Sequence, residues 1–481
     1  MKHIVSRAST LVALLSACAL VAGFGVSARL AAAQGRGGGP PQPSGGLSIT
    51  SAPWACGPSC PSDAPSGVDL YTLTNRNGMS VNISNYGGVI QSIWVPQLAG
   101  PPMPAGGATP GTHQLVDVIL GFQYLGDYVN DFENQPWPES GGSGDAYFGA
   151  IIGRYANRIA DHSFTLTNAD AVTCPAPYAS SGSPPTVTYN LPANNDVTDT
   201  LHGGPDSYNT QVWSATPETT PDYVALKLTY TDPNCYNGFP GAVTNTVTYS
   251  LDNNNDLNIS YSATTTAPTV INLTNHAYFN LGGEASGDVL GQYLWINSNT
   301  YQPTDATQIP VGFVPVKGTP FDFTTFHPIG ELINDASLPD GGGQSLTQLQ
   351  LAHGYDFNWV LNGYPGFRLD AVAFDPDTGI VLREYTDQPG VQLYTSNYLV
   401  GDLIGTSGHT YRQSDGFTLE TQHYPDAPHH QGEPQWPSVV LDPGQTFNSC
   451  TTYQFGTAGP GFVHQQSFPA PSQTPLCPSG T

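Results

Sequence analysis

Basic residues are scarce in this chain of 481 residues. Lysine and arginine together number 12, against 37 aspartate and glutamate residues, and the formal net charge is −25 at pH 7. Nucleic acids and anionic membranes attract positively charged surfaces, so this composition argues against both as partners. It also argues against phosphorylated substrates, because a phosphate is usually held by an arginine or lysine clamp.

Three frequent catalytic motifs are missing. The chain has no Gly-x-Ser-x-Gly nucleophile elbow, no glycine-rich loop that would cradle a phosphate, and no His-Glu-x-x-His zinc helix. Their absence removes the motif basis for a serine hydrolase, a P-loop nucleotide-binding enzyme or a helical zinc protease.

Helical periodicity is almost absent from the long central part of the chain. Short alternating or β-branched runs recur instead, as in 225–230 and 257–261, and polar turn clusters such as 252–256 separate them. Many short strands with polar turns predict an all-β sandwich or barrel, and the chain length favours a large sandwich. No change of composition divides this part, so we expect one domain over residues 65–456.

The segments beside this domain differ in composition. Residues 34–64 are rich in glycine, proline and serine and are predicted to be a flexible linker, and residues 457–481 are predicted to be an irregular tail. Within the domain, glycine- and proline-rich patches at 99–112, 136–145 and 174–186 are expected to be long surface loops.

Residues 1–33 have the features of an export signal. Lys2 and Arg7 precede an apolar run over 11–26, and the three alanines at 31–33 offer a small-residue cleavage site. A membrane anchor is the alternative, but the apolar run is short and rich in small residues. We therefore expect a secreted or periplasmic protein.

Cys18 leaves a second mode of export open. The segment Leu15-Ser16-Ala17-Cys18 is similar to the lipidation box of bacterial lipoproteins, so a lipid anchor on Cys18 is the alternative localisation. The residues that follow are still apolar, which is unusual for a mature lipoprotein. No membrane association is expected unless Cys18 is lipidated.

Six cysteines lie outside the export signal, and an even number in an exported chain indicates disulfides. Their spacings do not match a paired zinc knuckle. Six cysteines permit many connectivities, and the pairing that we predict is Cys56 with Cys60, Cys450 with Cys477, and Cys174 with Cys235.

One histidine is the main candidate for proton transfer. The segment from Asn272 to Gly283 places His276 among hydroxyl, amide and aromatic side chains and ends in two glycines. Histidine moves protons near neutral pH, and amides and rings beside it suit a polyhydroxylated ligand. We expect partners at His202, which precedes two glycines, and at Asp356, although a turn histidine and a turn-capping aspartate are the ordinary interpretations of these two.

Glu420 is the candidate base. In a strand, Phe417 and Leu419 would face one side, and Thr418 and Glu420 the other. A carboxylate near the end of a strand is well placed to accept a proton. An exposed glutamate at a strand end is the ordinary alternative.

Two further pairs have ordinary interpretations. Arg154 and Arg158 stand out in a chain poor in arginine, but surface ion pairing is their default explanation. His429 and His430 are adjacent, and adjacent residues of a strand point to opposite faces. These two histidines are therefore predicted to be a solvated loop pair and not a metal site.

Taken in order, several segments resemble the aldose 1-epimerase family, whose members are also called galactose mutarotases. The matching segments are Gly153 to Ile159 (GRYANRI), Leu201 to Gly204 (LHGG), Thr274 to Gly282 (TNHAYFNLG), Gly354 to Asp356 (GYD), Gly390 to Tyr394 (GVQLY), Leu419 to Gln422 (LETQ) and the closing region Trp436 to Gly444. Each motif is weak, but the ordered set is specific. The resemblance implies a large antiparallel β-sandwich and an isomerase that interconverts the α and β anomers of free hexoses such as glucose and galactose.

The resemblance also implies roles for single residues. His276 would be the general acid at the ring oxygen, and Glu420 the base at the C1 hydroxyl. The substrate-binding residues expected are His202, Asp356, Asn157, Arg158, Gln392 and Tyr278. Proton transfer alone suffices, so no metal and no organic cofactor is expected, and the partner is a free monosaccharide. The sequence gives no indication of an oligomeric state.

The chain departs from the family pattern at Phe357, where many members have a histidine, and in inserted loops at 130–148 and 168–200. Both catalytic candidates are intact, so the departures concern the preferred sugar and not activity. A non-catalytic carbohydrate-binding protein is one alternative, which the intact histidine–glutamate pair opposes. A hexose-phosphate epimerase is the other, which the scarcity of arginine and lysine opposes.

Overall fold

The structure of the protein is a computed structural model that describes residues 46–97, 114–134, 145–195, 198–343, 347–459, 461–464 and 477. The predicted export signal, Cys18 and most of the predicted loops at 99–112 and 136–145 lie outside the described residues. Within these ranges, no helix has both the length and the apolar character needed to cross a membrane.

Strands make up most of the regular structure of the described residues, which confirms the all-β prediction. The first half of the chain contains β1 (Ser48–Pro53), β2 (Asp69–Thr74), β3 (Ser80–Ser84), β4 (Ile90–Pro96), β5 (Leu115–Asp117), β6 (Ile151–Ile152), β7 (Arg158–Ile159), β8 (Ser163–Thr167), β9 (Ser181–Ser183), β10 (Thr186–Asn190), β11 (Thr200–Leu201), β12 (Ser214–Thr219), β13 (Tyr223–Asp232) and β14 (Val243–Asp252). The second half contains β15 (Asp256–Thr265), β16 (Thr269–Val270), β17 (Thr274–Asn275), β18 (Tyr278–Phe279), β19 (Tyr293–Ile296), β20 (Ser298–Gln302), β21 (Val314–Pro315), β22 (His327–Pro328), β23 (Asp356–Leu361), β24 (Arg368–Phe374), β25 (Ile380–Thr386), β26 (Gly390–Tyr394), β27 (Val400–Ile404), β28 (Thr410–Arg412), β29 (Phe417–Gln422), β30 (Val440–Leu441) and β31 (Phe447–Thr457). Two α-helices also occur in the described ranges, α1 (Leu125–Asn134) and α2 (Gln348–Leu351).

Two large sheets form the centre of the fold. One has nine strands in the order β12-β13-β14-β15-β31-β25-β24-β19-β22, and the other has six in the order β18-β29-β26-β23-β20-β21. All ladders within these two sheets are antiparallel. The predicted turn between β14 and β15 is closed by Asp252, whose carboxylate accepts hydrogen bonds from the backbone N–H groups of Asn254 and Asp256.

The two sheets share one hydrophobic core. Leu257 and Ile259 of β15 and Phe455 of β31 contribute to this core from the nine-stranded sheet, and Leu419 of β29 and Trp359 of β23 contribute from the six-stranded sheet. Every second residue of a strand points the same way, so alternating apolar residues cover one face of each sheet. This packing confirms the predicted large antiparallel β-sandwich.

The first strand corrects the predicted boundary of the linker. β1 pairs with β2, from Ser48 opposite Thr74 to Pro53 opposite Asp69, at the edge of a five-stranded sheet of order β1-β2-β3-β4-β5. The interpretation of residues 34–64 as a flexible linker is therefore wrong for β1. Most of its side chains are exposed, so backbone hydrogen bonds hold the strand and no apolar pattern marks it.

All three predicted disulfides are present, between Cys56 and Cys60, Cys174 and Cys235, and Cys450 and Cys477. The second bond joins the 168–200 insertion to the segment after β13. The insertion is not a plain loop, because its β9 and β10 form a three-stranded sheet with β8. The prediction of a surface loop over 174–186 is therefore wrong at β9.

Two buried carboxyl groups, Asp370 and Glu384, lie on the neighbouring strands β24 and β25. Burial raises the pKa of Asp370 to about 7. Burial, and then the charge of Asp370, raises the pKa of Glu384 well above its usual value. Since both pKa values are raised on folding, the folded state binds protons more tightly than the unfolded state. The stabilisation is complete at low pH and is lost as the pH rises through about 7.

We therefore predict that Glu384→Gln stabilises the protein above pH 7, because the buried carboxyl group resists an ionisation that occurs freely in the unfolded chain, whereas an amide does not ionise in either state. Relative to wild type, the variant should gain at least about 1 kcal/mol at pH 8, which corresponds to a melting temperature higher by about 2 °C, and much less at pH 5. Thermal melts between pH 5 and 9 measure this. Asp377→Asn, in the exposed turn between the same strands, is the matched control. An equal effect of Glu384→Gln at pH 5 and pH 8 contradicts the explanation.

Candidate active site

Three neighbouring strands of the six-stranded sheet carry the polar floor of the site. Glu420 on β29 lies opposite Gln392 on β26, and Asp356 on β23 lies opposite Tyr394 on β26. Gln392 Nε2 donates a hydrogen bond to Asp356 Oδ1 at 2.8 Å, and Thr418 Oγ1 donates to Glu420 Oε1 at 2.9 Å. The pairing register therefore brings together three predicted site residues that are up to 64 positions apart.

The strands turn the apolar neighbours of these residues to the other face. Phe417 and Leu419 lie in the core, as the predicted alternation requires. Phe357 also lies in the core, where its ring centroid is 4.9 Å from that of Phe321. Phe357, at which the chain departs from the family pattern, therefore lies on the core side of the six-stranded sheet and outside the site.

His276 is held beside Glu420 by backbone pairing. Its N–H donates to the Ala150 carbonyl at 3.0 Å, and its carbonyl accepts from the Gly149 N–H at 3.0 Å. This arrangement places His276 Nε2 at 3.4 Å from Glu420 Oε1, with side chains 6% and 2% exposed. The structure therefore brings the two predicted catalytic residues into direct contact.

His202 lies next to His276, with ring centroids 5.2 Å apart and ring planes at 87°. Its Nδ1 accepts a hydrogen bond from the backbone N–H of Asn157 at 3.2 Å. Burial, and then the nearby His276 and Arg158, holds the pKa of His202 well below its usual value. A neutral ring whose Nδ1 accepts must carry its proton on Nε2, so His202 is a hydrogen-bond donor through that atom.

Arg158 and Asn157 lie beside the floor. Arg158 Nη2 is 3.9 Å from Asp356 Oδ2 and also donates to Gln308 Oε1. The Asn157 side-chain oxygen accepts from the Arg158 backbone N–H at 2.8 Å, and the Asn157 carbonyl accepts from the His202 N–H at 3.1 Å. Asn157 thus acts on the site largely by holding its neighbours.

Arg154 pairs with a different carboxylate from the one that Arg158 approaches. Arg154 Nη2 is 2.7 Å from Asp232 Oδ2, and both side chains are buried. The surface ion-pair interpretation is therefore wrong for both arginines, since Arg158 is buried near Asp356 and Arg154 is buried against Asp232. His429 is exposed, as predicted, and His430 is half-buried. Each histidine contacts a carboxylate, His429 at Asp426 and His430 at Glu433.

Aromatic rings form the walls. The Tyr278 ring centroid is 5.1 Å from that of His276 and 5.9 Å from that of Tyr394, which is itself 6.5 Å from His276. Tyr147 lies on the other side, 4.7 Å from His202 and 5.8 Å from His276. Tyr147 and Tyr394 were not predicted as site residues. Tyr394 is the last residue of the matched segment Gly390 to Tyr394, so the sequence could have indicated it. Tyr147 lies in none of the matched segments, and only the neighbouring aromatic residue Phe148 marks its position.

The electrostatics of the two central residues follow from burial. Burial raises the pKa of Glu420 to about 8, against the hydrogen bond from Thr418, with a further rise from the charge of Asp356 and an opposing effect of Arg158. Burial also lowers the pKa of His276 to about 3. Because each shift disfavours the charged form, the pair holds one proton at neutral pH, on Glu420, beside a neutral His276.

The site suits proton transfer better than metal binding. Ligand atoms of His202, His276 and Glu420 lie within 4.8 Å of one another, and two histidines with one glutamate form a donor set that zinc uses. The Asn157 N–H occupies His202 Nδ1, however, so Nε2 carries a proton that a metal would have to displace. The three residues together instead offer the Nε2–H of His202, the carboxyl group of Glu420 and the unprotonated ring nitrogen of a neutral His276.

Comparison with known proteins identifies the family of the chain. The family model for aldose 1-epimerase matches residues 69–175 and 176–454. Galactose mutarotase from Rattus norvegicus is 32% identical over 400 residues, which cover 82% of this chain and 97% of that protein. Aldose 1-epimerase from Escherichia coli (strain K12) is 31% identical over 399 residues, covering 82% and 98%.

A solved structure shows the same fold. The crystal structure of galactose 1-epimerase from Lactobacillus acidophilus NCFM superposes with a TM-score of 0.63 at 23% identity, and covers 85% of this chain and 99% of that one. The residues that the family model matches contain the floor, both histidines and the aromatic walls. The chain belongs to the aldose 1-epimerase family.

Proposed function

We propose that the protein interconverts the α and β anomers of free aldoses, with hexoses such as glucose and galactose as substrates. The contact between His276 Nε2 and Glu420 Oε1 is the observation that carries this proposal. A hemiacetal has its ring oxygen and its hydroxyl oxygen on the same carbon, so an acid and a base that lie side by side reach both. The names of the mutarotase and epimerase relatives support the same reaction.

In the reaction, Glu420 accepts the proton of the C1 hydroxyl and His276 donates a proton to the ring oxygen. The bond between C1 and the ring oxygen breaks, and the open-chain aldehyde forms. Rotation about the C1–C2 bond presents the other face of the aldehyde. Ring closure then reverses the two proton transfers, so the pair ends with the single proton that it held at the start.

The productive form of the pair needs this proton on His276 and a negative charge on Glu420. In the free site the proton lies on Glu420, because burial disfavours both charges. The two forms differ only by transfer across the 3.4 Å contact. Substrate hydroxyl groups that donate to the carboxylate favour the charged form, as hydrogen bonds to an anion do.

The remaining predicted residues are proposed to bind the sugar. Asp356, held by Gln392 and near Arg158, accepts hydrogen bonds from sugar hydroxyls, which are donors. His202 donates from Nε2 to a sugar oxygen, and Asn157 maintains that tautomer. Tyr278 offers an apolar surface to the C–H groups of the ring.

The disulfides are compatible with an extracellular location, where such bonds persist.

We predict that His276→Ala and Glu420→Gln each slow mutarotation by about 10²- to 10⁴-fold, since each removes one of the two proton carriers. Polarimetry of freshly dissolved α-glucose and α-galactose measures the rate above the buffer rate. His409→Ala and Glu433→Gln are the matched controls, because those side chains are 38% and 56% exposed. Glu420→Gln should remain folded, and above pH 8 it should be more stable than wild type, because a buried group that must ionise has been removed.

Two outcomes contradict this proposal. If wild type equilibrates the anomers no faster than buffer while calorimetry still shows sugar binding, the protein is a binding protein and not an enzyme. If both variants retain the wild-type rate, the enzyme does not use this pair.

We also predict a decline of kcat/KM above about pH 8, because Glu420 then loses the one proton of the pair and no acid remains. The loss should approach about tenfold per pH unit. Between pH 5 and 7 the rate should be level, because the pKa of His276 is lowered to about 3 and a second proton does not enter. Rates corrected for the buffer reaction test this, and a bell centred below pH 5 would rule out the assignment.

A further inference from the structure

Tyr147 contacts both histidines of the site but has no role in the reaction described above. Its ring is edge-on to His202 at 4.7 Å between centroids and tilted against His276 at 5.8 Å. The residue is only 5% exposed, so its ring is enclosed by protein. A ring in this position limits the rotation of both imidazoles.

The backbone of Tyr147 has an unfavourable conformation. Its φ is 54°, in the left-handed region that bulky residues rarely adopt. A conformation of this kind costs about 1–3 kcal/mol and persists only where the surroundings impose it. Asn157 and His202 also have positive φ, of 64° and 52°. Three of the 14 non-glycine residues with positive φ in the described part of the chain therefore lie at the site.

The surroundings of Tyr147 come from Asp145, two residues before it, and from Asp131 and Phe132 of α1. The Tyr147 hydroxyl donates to Asp145 Oδ2 at 3.4 Å, and the Ala146 N–H donates to Asp131 Oδ2 at 3.2 Å. Phe132 stacks on the Tyr147 ring from the side of α1, with centroids 6.2 Å apart and an angle of 27°. Asp131 is fully buried, which is costly for a carboxyl group.

We propose that Tyr147 is a positioning residue that holds His202 and His276 in their working orientation, and that Asp131, Asp145 and Phe132 brace it from behind. The proposal rests on the proposed function for its kinetic consequence but not for its structural one. His202 must present Nε2–H and His276 must present Nε2 to the same substrate, so a small rotation of either ring moves its nitrogen away from the sugar atom that it contacts. The brace explains why a strained tyrosine and a buried aspartate lie next to each other.

The test compares three substitutions of Tyr147. Tyr147→Phe keeps the ring and its stacking on Phe132, and should keep kcat within about threefold, as expected for the loss of one hydrogen bond. Tyr147→Ala and Tyr147→Leu remove the ring, and should lower kcat by about 10²-fold with little change in KM, as expected for misplaced catalytic groups. Tyr147→Leu fills most of the space, so it serves if Tyr147→Ala does not fold. Asp145→Ala removes part of the brace and should lower kcat by less.

A spectroscopic readout separates positioning from other roles. In protein with ¹⁵N-labelled histidine, His202 should show one tautomer, protonated at Nε2, in wild type and in Tyr147→Phe. A mixture of tautomers is expected in Tyr147→Leu, because the ring no longer stays fixed against the Asn157 N–H. This measurement needs no catalysis, so it tests the positioning role even if wild type proves inactive as an epimerase.

Two results overturn the proposal. An increase in KM at unchanged kcat in Tyr147→Leu shows that Tyr147 contacts the sugar and does not position the histidines. An unchanged His202 tautomer together with an unchanged kcat shows that the contact has no consequence.

Discussion

His276 Nε2 and Glu420 Oε1 lie 3.4 Å apart, and neither side chain is more than 6% exposed. Water cannot stabilise an imidazolium or a carboxylate here, so both groups favour their neutral forms and share one proton. This sharing gives the site an acid and a base at the same pH, which a single exposed group cannot supply. The other residues of the site keep the side chains of His276 and Glu420 in contact and shield them from water.

The segments that position these side chains come from distant parts of the chain. A strand of the six-stranded sheet carries Glu420, a short segment paired to residues 149–150 carries His276, and a turn with left-handed backbone carries His202. The sheet contributes rigidity, because its backbone hydrogen bonds are made whether or not a ligand is present. The turns bring side chains such as His202 close to His276. Their left-handed backbone conformations are unfavourable, so the sheet and the neighbouring residues must hold them.

Burial of ionisable groups is a recurrent cost in this fold. For Glu420 the proposed role as a base accounts for the cost, and Asp356 is stabilised in part by Arg158 and Gln392. Asp370 and Glu384 have no such function in the reaction, and they make the stability of the sandwich depend on pH. The chain therefore gives up stability at alkaline pH in two places, of which only one belongs to the site.

The sequence by itself determined the all-β class, the presence of disulfides and His276 and Glu420 as the candidate proton carriers, because alternation, an even cysteine number and ordered motifs are local properties of the chain. The tertiary structure decided which cysteines pair. It did not determine β1, whose exposed side chains leave no apolar pattern, or the strands inside the 168–200 insertion. Only the tertiary structure decided that Phe357 faces the core, that Arg154 and Arg158 are buried apart from each other, and that Tyr147 contacts both histidines. Each of these depends on the strand register and on contacts between residues far apart in sequence, and no local pattern of residues encodes such distances.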